Sequence, residues 1–421
     1  MSEEVGIIRS LIDNDLYKLT MQQGVVELFQ REWVRYNFIN RGKTVFPDGF
    51  ALRLRQELKK MEQLKLQRAE SDFLTRRCGS FLKPTYIDFL KSYQYDSSEI
   101  GITQDATGEL VVTIEGYWYR TILWEVPLMA LISELYFQMT GEKIMSRDER
   151  QKNNIEKGKK FHTNGMKVAD FGTRRRYSYD NQLEVVQDLQ SCFNNGDPFL
   201  VGTSNVHIAM KCDLQPIGTH AHEWFMFHAV HYGYTMANYR GLENWVKVYE
   251  GDLGIALSDT FTTEAFFRTF DKKFAKLFDG VRHDSGDPFE FAEKVVAHYK
   301  SLGIDPSSKT IVFSDGLNTD RSVKLHKFCR DLGIKVAVTS PFAPERAIKC
   351  SFGIGTHFTN DVGVKALNMV IKIVQVKVGD LWVDTVKLSD NPIKHTGTEE
   401  EIKLCKDTLR IKEVKKVAEE A

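Results

Sequence analysis

Short apolar runs that each end in a cluster of glycine and small polar residues recur between residues 168 and 356, and they limit the fold most. Helical stretches separate most of the runs, which predicts strands that alternate with helices in a parallel sheet. Seven such clusters favour closure into a barrel, because polar residues at strand ends then converge on one face. An open, doubly wound sheet is the competing architecture. The clusters begin at Asp170, Gly202, Gly218, Ser258, Arg282, Ser314 and Gly353.

The segments on either side of this region have a different pattern. Val34 to Phe38 alternates like a strand, and Leu110 to Ile122 alternates like a hairpin. The chain after Val364 begins with an apolar, strand-like run and ends in a charged helix. We therefore predict an N-terminal α+β domain over residues 1–125, completed by residues 365–421, and an α/β barrel over residues 126–364.

Charge and cysteine usage exclude several classes of protein. Lysine plus arginine (57) equals aspartate plus glutamate (57), which disfavours nucleic acid or an anionic membrane as a partner. The six cysteines show no metal-binding spacing, so we expect reduced thiols and no structural metal. The N-terminus lacks the features of a secretory signal, and the most apolar stretch, Val126 to Phe137, is too short to span a bilayer. These features predict a cytoplasmic protein.

Two kinds of cluster are suited to anions. Phe171 precedes three consecutive arginines, Arg174 to Arg176, whose planar guanidinium groups match carboxylate and phosphate. The alternative is a surface turn, but cations at a helix N-terminus oppose its dipole. Gly353-Ile354-Gly355-Thr356 and Ser314-Asp315-Gly316 are typical of phosphate and ribose loops, although one such loop alone is often an ordinary turn.

Two further clusters carry groups suited to catalysis. Arg282 and Asp284 follow a predicted strand, where their side chains would enter a site, while Asp287 is expected to cap the next helix. Gly218 to Trp224 holds two histidines without a third zinc ligand at a recognised spacing. A histidine can instead attack a phosphoryl group if a carboxylate holds its other nitrogen, and Asp259 is a candidate for that carboxylate. A pair of polar loop histidines is the alternative.

Taken together with Asn14 to Lys18 and Leu123 to Pro127, these clusters resemble the nicotinate phosphoribosyltransferase family. They occur in the family's order and extend over nearly the whole chain. The resemblance implies an irregular TIM-like (β/α) barrel with an extra α+β domain from both chain ends, and a homodimer with shared active sites. It also implies transfer of ribose 5-phosphate from phosphoribosyl pyrophosphate to nicotinate, with Mg²⁺ and with ATP hydrolysis coupled through a phosphohistidine.

The resemblance also implies roles for individual residues. His222 would be the phosphorylated histidine, Asp259 its orienting partner, and Asp284 a ribose ligand. Phe171 and, from the second subunit, Tyr17 would stack on the two faces of the pyridine. Arg174 and Arg282 would lie against the substrate. The phosphates would be bound at Ser314, Asp315, Gly353, Gly355 and Thr356. No protein side chain is predicted as a direct metal ligand.

The nearest alternative is nicotinamide phosphoribosyltransferase, which shares this architecture. In that enzyme an aspartate follows the strand-end Gly-Thr and holds the carboxamide, whereas this chain has Ser204. A carboxylate there would repel nicotinate, so serine favours the acid. A non-catalytic nucleotide-binding regulator is the alternative from outside the enzymes.

Overall fold

The computed structural model describes residues 6–192, 198–337 and 347–411, and for 333–337 the backbone alone. The strands are β1 (Trp33–Ile39), β2 (Ile100–Gln104), β3 (Leu110–Tyr117), β4 (Val168–Asp170), β5 (Leu200–Thr203), β6 (Ile255–Leu257), β7 (Gly280–His283), β8 (Thr310–Phe313), β9 (Lys349–Ile354), β10 (Val370–Val378) and β11 (Leu381–Asp384). The first helices are α1 (Leu16–Leu28), α2 (Phe50–Met61), α3 (Arg68–Cys78), α4 (Pro84–Ser92), α5 (Trp118–Thr121), α6 (Glu125–Thr140), α7 (Arg147–Thr163), α8 (Tyr179–Ser191) and α9 (Val206–Lys211). The later helices are α10 (His222–Tyr232), α11 (Tyr234–Tyr249), α12 (Thr263–Thr269), α13 (Lys272–Leu277), α14 (Pro288–Ser301), α15 (Thr319–Ala337), α16 (Thr356–Thr359) and α17 (Glu399–Leu409).

The chain forms two compact units, each built from several segments. Unit 1 comprises Met1–Thr219, Gly316–Val323 and Phe352–Lys372, and unit 2 comprises His220–Asp315, Lys324–Ser351 and Ile373–Ala421. These boundaries differ from those of the domains predicted from the sequence. The parallel strands are shared between the units, and the boundary falls within β9 after Ser351, so the units do not coincide with domains defined by sequence pattern.

Unit 1 contains an antiparallel sheet in which β3 lies between β1 and β2. Leu110, Val112 and Ile114 of β3 are buried and alternate with exposed residues, as in a strand with one face on a core. The second half of the predicted hairpin is wrong, because the chain after Tyr117 turns into helix α5. Trp118 and Ile122 are both buried there, at helical spacing.

The three parallel strands of unit 1 lie in the order β5-β4-β9. Asp170 is opposite Thr203 on one side and Ile354 on the other, so the carboxyl ends of the three strands meet at one edge. Unit 2 repeats this arrangement with β6-β7-β8, where Leu257 is opposite Arg282 and His283 is opposite Phe313. The polar clusters after these strands are therefore held at the strand ends.

The mixed α/β fold with parallel strands is confirmed, and six of the seven predicted strand ends follow strands of the structure. The seventh, at Ile217, follows only an isolated bridge between Thr203 and Pro216. Three strands cannot enclose a core by themselves, so neither unit alone forms the closed barrel expected from the sequence. Helix α15 also continues to Ala337, past Gly333, since one glycine weakens a helix without ending it.

The helical run Trp118–Thr140 is longer than its sequence pattern indicated. By length and composition its 23 residues are sufficient to cross a membrane, which corrects the expectation that the apolar stretch is too short. However, 83% of its most apolar window is buried inside the structure. A helix that is apolar all round and covered by protein is typical of the core of a large enzyme.

Candidate active site

The strand ends of unit 2 bring together His222, Asp259 and Asp284. His222 is the first residue of α10, and its Nε2 lies 2.9 Å from Asp284 Oδ2. The same nitrogen is 3.8 Å from Asp259 Oδ1, and Nδ1 is 3.1 Å from the hydroxyl of Thr260. Sequence reasoning expected Asp259 to orient the histidine. The hydrogen bond is made to Asp284 instead, because the carboxylate of Asp284, which follows β7, lies closer to Nε2 than the carboxylate of Asp259.

The imidazole of His222 is neutral in this environment. Burial and the nearby charge of Lys387 lower the pKa of His222 to about 4, although Asp259 and Asp284 act in the opposite direction. In the neutral tautomer that fits the contacts, Nε2–H donates to Asp284 and Nδ1 accepts from the Thr260 hydroxyl. A neutral imidazole held on one side by a carboxylate retains an electron pair on its other nitrogen, as a nucleophile requires.

Asp284 is the centre of the charged contacts in this cluster. Burial acts to raise the pKa of Asp284, but the Arg282 guanidinium and the hydrogen bond to His222 hold it well below its usual range. Ser314 donates to Asp284 Oδ1 at 2.9 Å, and Arg282 Nη1 lies 4.0 Å from that oxygen. Arg282 also donates to the carbonyl of His220. The carboxylate is therefore ionised and fixed, with one edge toward the histidine.

Asp259 is fixed by a hydrogen bond from Ser285 and not by one from the histidine. Its Oδ2 accepts from the Ser285 hydroxyl at 2.5 Å, and that hydroxyl also accepts from the backbone N–H of Asp390. The Asp390 carboxylate accepts in turn from Thr263. Asp259 Oδ1 is buried and has no hydrogen-bond partner among the described residues. A fixed carboxylate with one unsatisfied buried oxygen is prepared to receive a further donor or a cation.

The segment from Lys387 to Lys394 supplies residues that sequence reasoning missed. Lys394 lies 2.5 Å from the Asp315 carboxylate and also donates to the backbone carbonyl of Asp284. Lys387 is buried, and its charge acts on both His222 and Asp284. In the sequence, Lys387 to Lys394 lies beyond the predicted barrel and has no glycine cluster of the kind that marked the strand ends.

A second group of predicted residues lies at the strand ends of unit 1, around Phe171. The backbone N–H of Phe171 donates to the carbonyl of Ile354. A Cβ atom added at Gly353 would lie 2.2 Å from Cδ2 of the Phe171 ring, so the missing side chain makes room for that ring. Gly353 is buried within β9. Gly353 therefore makes room for the aromatic ring, in addition to the phosphate contact that the resemblance implies, while Gly355 and Thr356 follow the strand.

The three arginines after Phe171 have different environments. Arg174 is partly exposed and lies 3.6 Å from Glu125, which also forms a 2.6 Å ion pair with the buried Lys18. Arg176 is fully buried and makes a bidentate pair with Asp13. The expectation of three arginines in one anion site is wrong for Arg176, because its donors bind a carboxylate inside the unit. Arg174 remains accessible to a ligand.

Ser204 is engaged by a carboxylate. Its hydroxyl donates to Asp15 Oδ1 at 2.7 Å, and its carbonyl accepts from the Leu16 N–H. Burial raises the pKa of Asp15, although hydrogen bonds from Ser204 and Thr173 lower it. Ser204 is buried, so in this structure its hydroxyl is not open to a substrate. Ser204 was expected to stand where a carboxylate would otherwise be, but Asp15 brings a carboxylate into contact with it.

Tyr17, the remaining predicted residue, lies in the first turn of α1 beside Asp15. It is partly buried, and Lys18 Nζ lies 5.7 Å from the centre of its ring. The predicted residues thus form one group in each unit. In unit 2, ligand atoms of His222, Asp259 and Asp284 lie within 4.8 Å of one another and could hold a metal ion.

Comparison with known proteins identifies the family of the chain. The profile of the nicotinate phosphoribosyltransferase (NAPRTase) family matches residues 166–417, and the profile of the NAPRTase N-terminal domain matches residues 12–133. The chain belongs to the nicotinate phosphoribosyltransferase family. It is therefore an enzyme of the class that serves NAD biosynthesis.

Individual members of the family are similar to this chain over almost their full length. Nicotinate phosphoribosyltransferase of Chromohalobacter salexigens is 51% identical, with 96% of this chain and 99% of the relative covered. The enzyme of Desulforapulum autotrophicum is 48% identical, with 95% and 98% covered. The crystal structure of the Porphyromonas gingivalis enzyme is similar with a TM-score of 0.89 at 42% identity, covering 96% of this chain and 100% of the other.

Proposed function

We propose that this enzyme transfers the 5-phosphoribosyl group from phosphoribosyl pyrophosphate to the ring nitrogen of nicotinate and releases pyrophosphate. ATP hydrolysis is coupled to the transfer through phosphorylation of His222. The observation that carries the proposal is a neutral, buried histidine held by one carboxylate at 2.9 Å with a second carboxylate 3.8 Å away. This reaction is the first step in making NAD from nicotinate.

The histidine chemistry follows from the hydrogen bonds of the ring. When the free nitrogen attacks the terminal phosphorus of ATP, the bond to the ADP oxygen breaks and the imidazole becomes cationic. Asp284 at Nε2 stabilises that positive charge, as the carboxylate does beside other nucleophilic histidines. In the present orientation the free nitrogen is Nδ1, so the Thr260 hydroxyl that it accepts from must move aside. The phosphorylated ring then adds negative charge near Arg282, Lys387 and Lys394.

The phosphoribosyl transfer needs positioning and charge neutralisation more than a general base. The pyridine nitrogen already has a lone pair, and C1 of the ribose becomes cationic as pyrophosphate leaves. Asp284 is ionised and can stabilise that cation while it binds ribose hydroxyls. Arg282 and Lys394 are placed to offset the charge of the departing pyrophosphate. Ser314, Asp315, Gly353, Gly355 and Thr356 complete the proposed phosphoribosyl ligands.

Nicotinate binding rests on the second group of residues. Phe171, held over Gly353, offers a flat ring for one face of the pyridine, and Arg174 offers a guanidinium for the carboxylate. Tyr17 from the second subunit is proposed for the other face, which requires a homodimer with shared sites. The choice of acid over amide then rests on Arg174 and not on Ser204.

The donor atoms of the cluster fit magnesium. Mg²⁺ prefers oxygen ligands and is usually held by one or two carboxylates together with substrate phosphates. Asp259, whose buried Oδ1 is unsatisfied, and Asp284 would hold it next to the substrate. When bound, the ion supplies charge neutralisation for pyrophosphate, both in the ribosyl transfer and in ATP cleavage.

The wider organisation is proposed on the same basis. The irregular TIM-like barrel is supported by six parallel strands with polar carboxyl ends. A domain of residues 1–125 completed by 365–421, with the barrel at 126–364, is part of the same proposal. The separate family profiles for residues 12–133 and 166–417 support an N-terminal domain distinct from the rest of the chain. A cytoplasmic location, without nucleic acid or membrane partners, is supported by balanced charge and free cysteines.

The proposal is tested by following mononucleotide and ADP formation together. Purified enzyme, Mg²⁺ and phosphoribosyl pyrophosphate are mixed with nicotinate or nicotinamide, with and without ATP. We expect product from nicotinate that increases with ATP, and one acid-labile phosphoryl group per chain. His222→Ala should lose ATP hydrolysis and keep slow transfer, while the exposed His231→Ala in the same helix should behave as wild type.

The alternatives predict other outcomes of the same assay. Product from nicotinamide but not from nicotinate would select the amide enzyme. ATP binding without turnover of either pyridine would indicate a non-catalytic nucleotide-binding regulator. ATP hydrolysis that stays coupled in His222→Ala would refute the phosphohistidine while leaving the transfer reaction in place.

A further inference from the structure

Two thiols and a histidine meet in unit 2 outside the residues assigned to catalysis. Cys329 lies on α15 and is fully buried, while Cys350 lies on β9 and is partly exposed. The two thiols are hydrogen-bonded to each other, and His326 Nδ1 is 3.3 Å from Cys350 Sγ. His326 and Cys329 are three residues apart on the helix, so they project from the same face. Cys350 therefore contacts both the second sulfur atom and the imidazole.

The two thiols differ in their ionisation. The hydrogen bond from Cys329 and the nearby His326 lower the pKa of Cys350 to about 6, although burial acts against this. The pKa of Cys329 is raised, first by that hydrogen bond and then by burial. Cys78, Cys212 and Cys405 have their pKa raised to about 12, 11 and 12, because burial disfavours the thiolate. Burial also raises the pKa of Cys192, so Cys350 is the one cysteine of the six whose pKa is lowered, and the thiol beside it has a raised pKa.

We propose that Cys350 and Cys329 form an oxidation-sensitive thiol pair, in which Cys350 reacts with hydroperoxides and Cys329 resolves the product to a disulfide. The Cys350 thiolate attacks one oxygen of hydrogen peroxide, the O–O bond breaks, and water leaves after protonation. The Cys329 sulfur then attacks the sulfenic sulfur. The S–S bond forms, the S–O bond breaks, and the hydroxide leaves as water with the Cys329 proton. Two thiols are oxidised and one peroxide is reduced to two waters.

The position of the pair on β9 links it to the nicotinate site. Cys350 is three residues before Gly353 in the same strand, and Gly353 supports the Phe171 ring. A disulfide draws two sulfur atoms to about 2.05 Å, closer than hydrogen-bonded thiols, and therefore pulls the strand toward α15. We expect the oxidised enzyme to bind nicotinate more weakly until a thiol reductant restores it. This consequence rests on the proposed function, whereas the oxidation chemistry does not.

Peptide mass spectrometry tests the pair independently of activity. The reduced full-length enzyme is treated with a small excess of hydrogen peroxide, alkylated and digested without reductant. Wild type should give a peptide that links Cys329 to Cys350, with complete loss of alkylation at both and full reversal by dithiothreitol. Cys329→Ser should accumulate a sulfenic acid at Cys350 that dimedone traps, Cys350→Ser should give neither product, and the control Cys405→Ser should match wild type.

The results that overturn the proposal are equally specific. Cys350 that remains reduced while other cysteines oxidise, or dimedone capture at Cys350 in wild type without the disulfide, would refute the pair. If a serine variant does not fold, the rate of wild-type alkylation against pH still decides, since Cys350 should react with a midpoint near pH 6 and the other cysteines above pH 8. A disulfide that leaves the nicotinate KM unchanged would refute the regulation alone. Absence of any turnover with nicotinate would refute the proposed function and leave the thiol chemistry standing.

Discussion

Replacing Gly353 by alanine should weaken nicotinate binding and leave phosphoribosyl pyrophosphate binding nearly unchanged. The added Cβ would lie 2.2 Å from Cδ2 and 2.4 Å from Cε2 of Phe171. Carbon atoms in contact are about 3.5–4.0 Å apart, so the ring must move by roughly 1.5 Å. Overpacking of this kind costs about 1–3 kcal/mol. If the cost falls on the ring that stacks on nicotinate, kcat/KM for nicotinate should drop about 5- to 150-fold.

A double-mutant cycle shows whether the loss passes through the ring. Steady-state kinetics with each substrate varied would be measured for Gly353→Ala, Phe171→Ala and the double variant. Once Phe171 is alanine, the added methyl group meets no ring, so the second substitution should cost little. Gly6→Ala, whose new Cβ would be 3.5 Å from its nearest neighbour, is the control for ordinary contact.

The opposite kinetic pattern would contradict the role of Gly353 in supporting the Phe171 ring. A rise in the KM for phosphoribosyl pyrophosphate with an unchanged KM for nicotinate would show that the added methyl group disturbs the phosphate loop and not the Phe171 ring. Fully additive effects of Gly353→Ala and Phe171→Ala would show that the glycine acts on something other than the ring.

Three further predictions concern charge. Arg176→Met should destabilise the enzyme by about 3–5 kcal/mol in urea unfolding, because it leaves the buried Asp13 carboxylate without its cation. The control, Arg53→Met at an exposed position, should change stability little. Equal stabilities of the two variants would contradict the role of the Arg176–Asp13 pair. Because the folded-state pKa of His222 is lowered from 6.5 to about 4, the unfolded chain binds the extra proton between these values, and stability should fall by on the order of 3 kcal/mol as pH drops from 6.5 to 4. The free energy of unfolding of His222→Asn should lack this contribution to its pH dependence. An unchanged pH dependence would show that the wild-type ring is not buried and neutral. Lys394→Met should raise the KM for phosphoribosyl pyrophosphate by about tenfold, the effect of roughly 1.4 kcal/mol, with the exposed Lys403→Met as control; an unaffected KM would remove Lys394 from the site.

The strand ends could be predicted because their signal is local. An apolar run followed by glycine and small polar residues needs only a few positions to be recognised, and β4, β5, β6, β7, β8 and β9 all follow from it. The helix after Asp287 was equally predictable, since the capping aspartate accepts from the N–H groups of Phe289 and Glu290. Trp118 shows the limit of local signals. Over a few residues, the same apolar positions fit both the alternation of a strand and the spacing of a helix. The structure has the helix, in which Trp118 and Ile122 are both buried.

The partners of individual side chains could not be predicted, because they depend on long-range packing. Arg176 and Arg174 are alike in sequence, yet one is buried against Asp13, 163 positions away, and the other is partly exposed. Asp15 meets Ser204 across 189 positions. Periodicity indicates which face of an element is buried. Periodicity does not indicate which charged group lies opposite a given side chain. The preference for the acid inferred from Ser204 therefore did not take the Asp15 carboxylate into account.

The charges around His222 explain why the proposed reaction needs a divalent cation. Four carboxylates, Asp259, Asp284, Asp315 and Asp390, lie in or beside the cluster with three cations, Arg282, Lys387 and Lys394, so the cluster has no excess positive charge before any substrate arrives. Phosphoribosyl pyrophosphate or ATP adds several negative charges to a partly buried region, where they are poorly screened. The lysines are already committed in part to carboxylates, as the 2.5 Å contact between Lys394 and Asp315 shows. In the proposed reaction the anionic substrate would therefore bring its own positive charge, for which we propose Mg²⁺, and the unsatisfied oxygen of Asp259 would receive it.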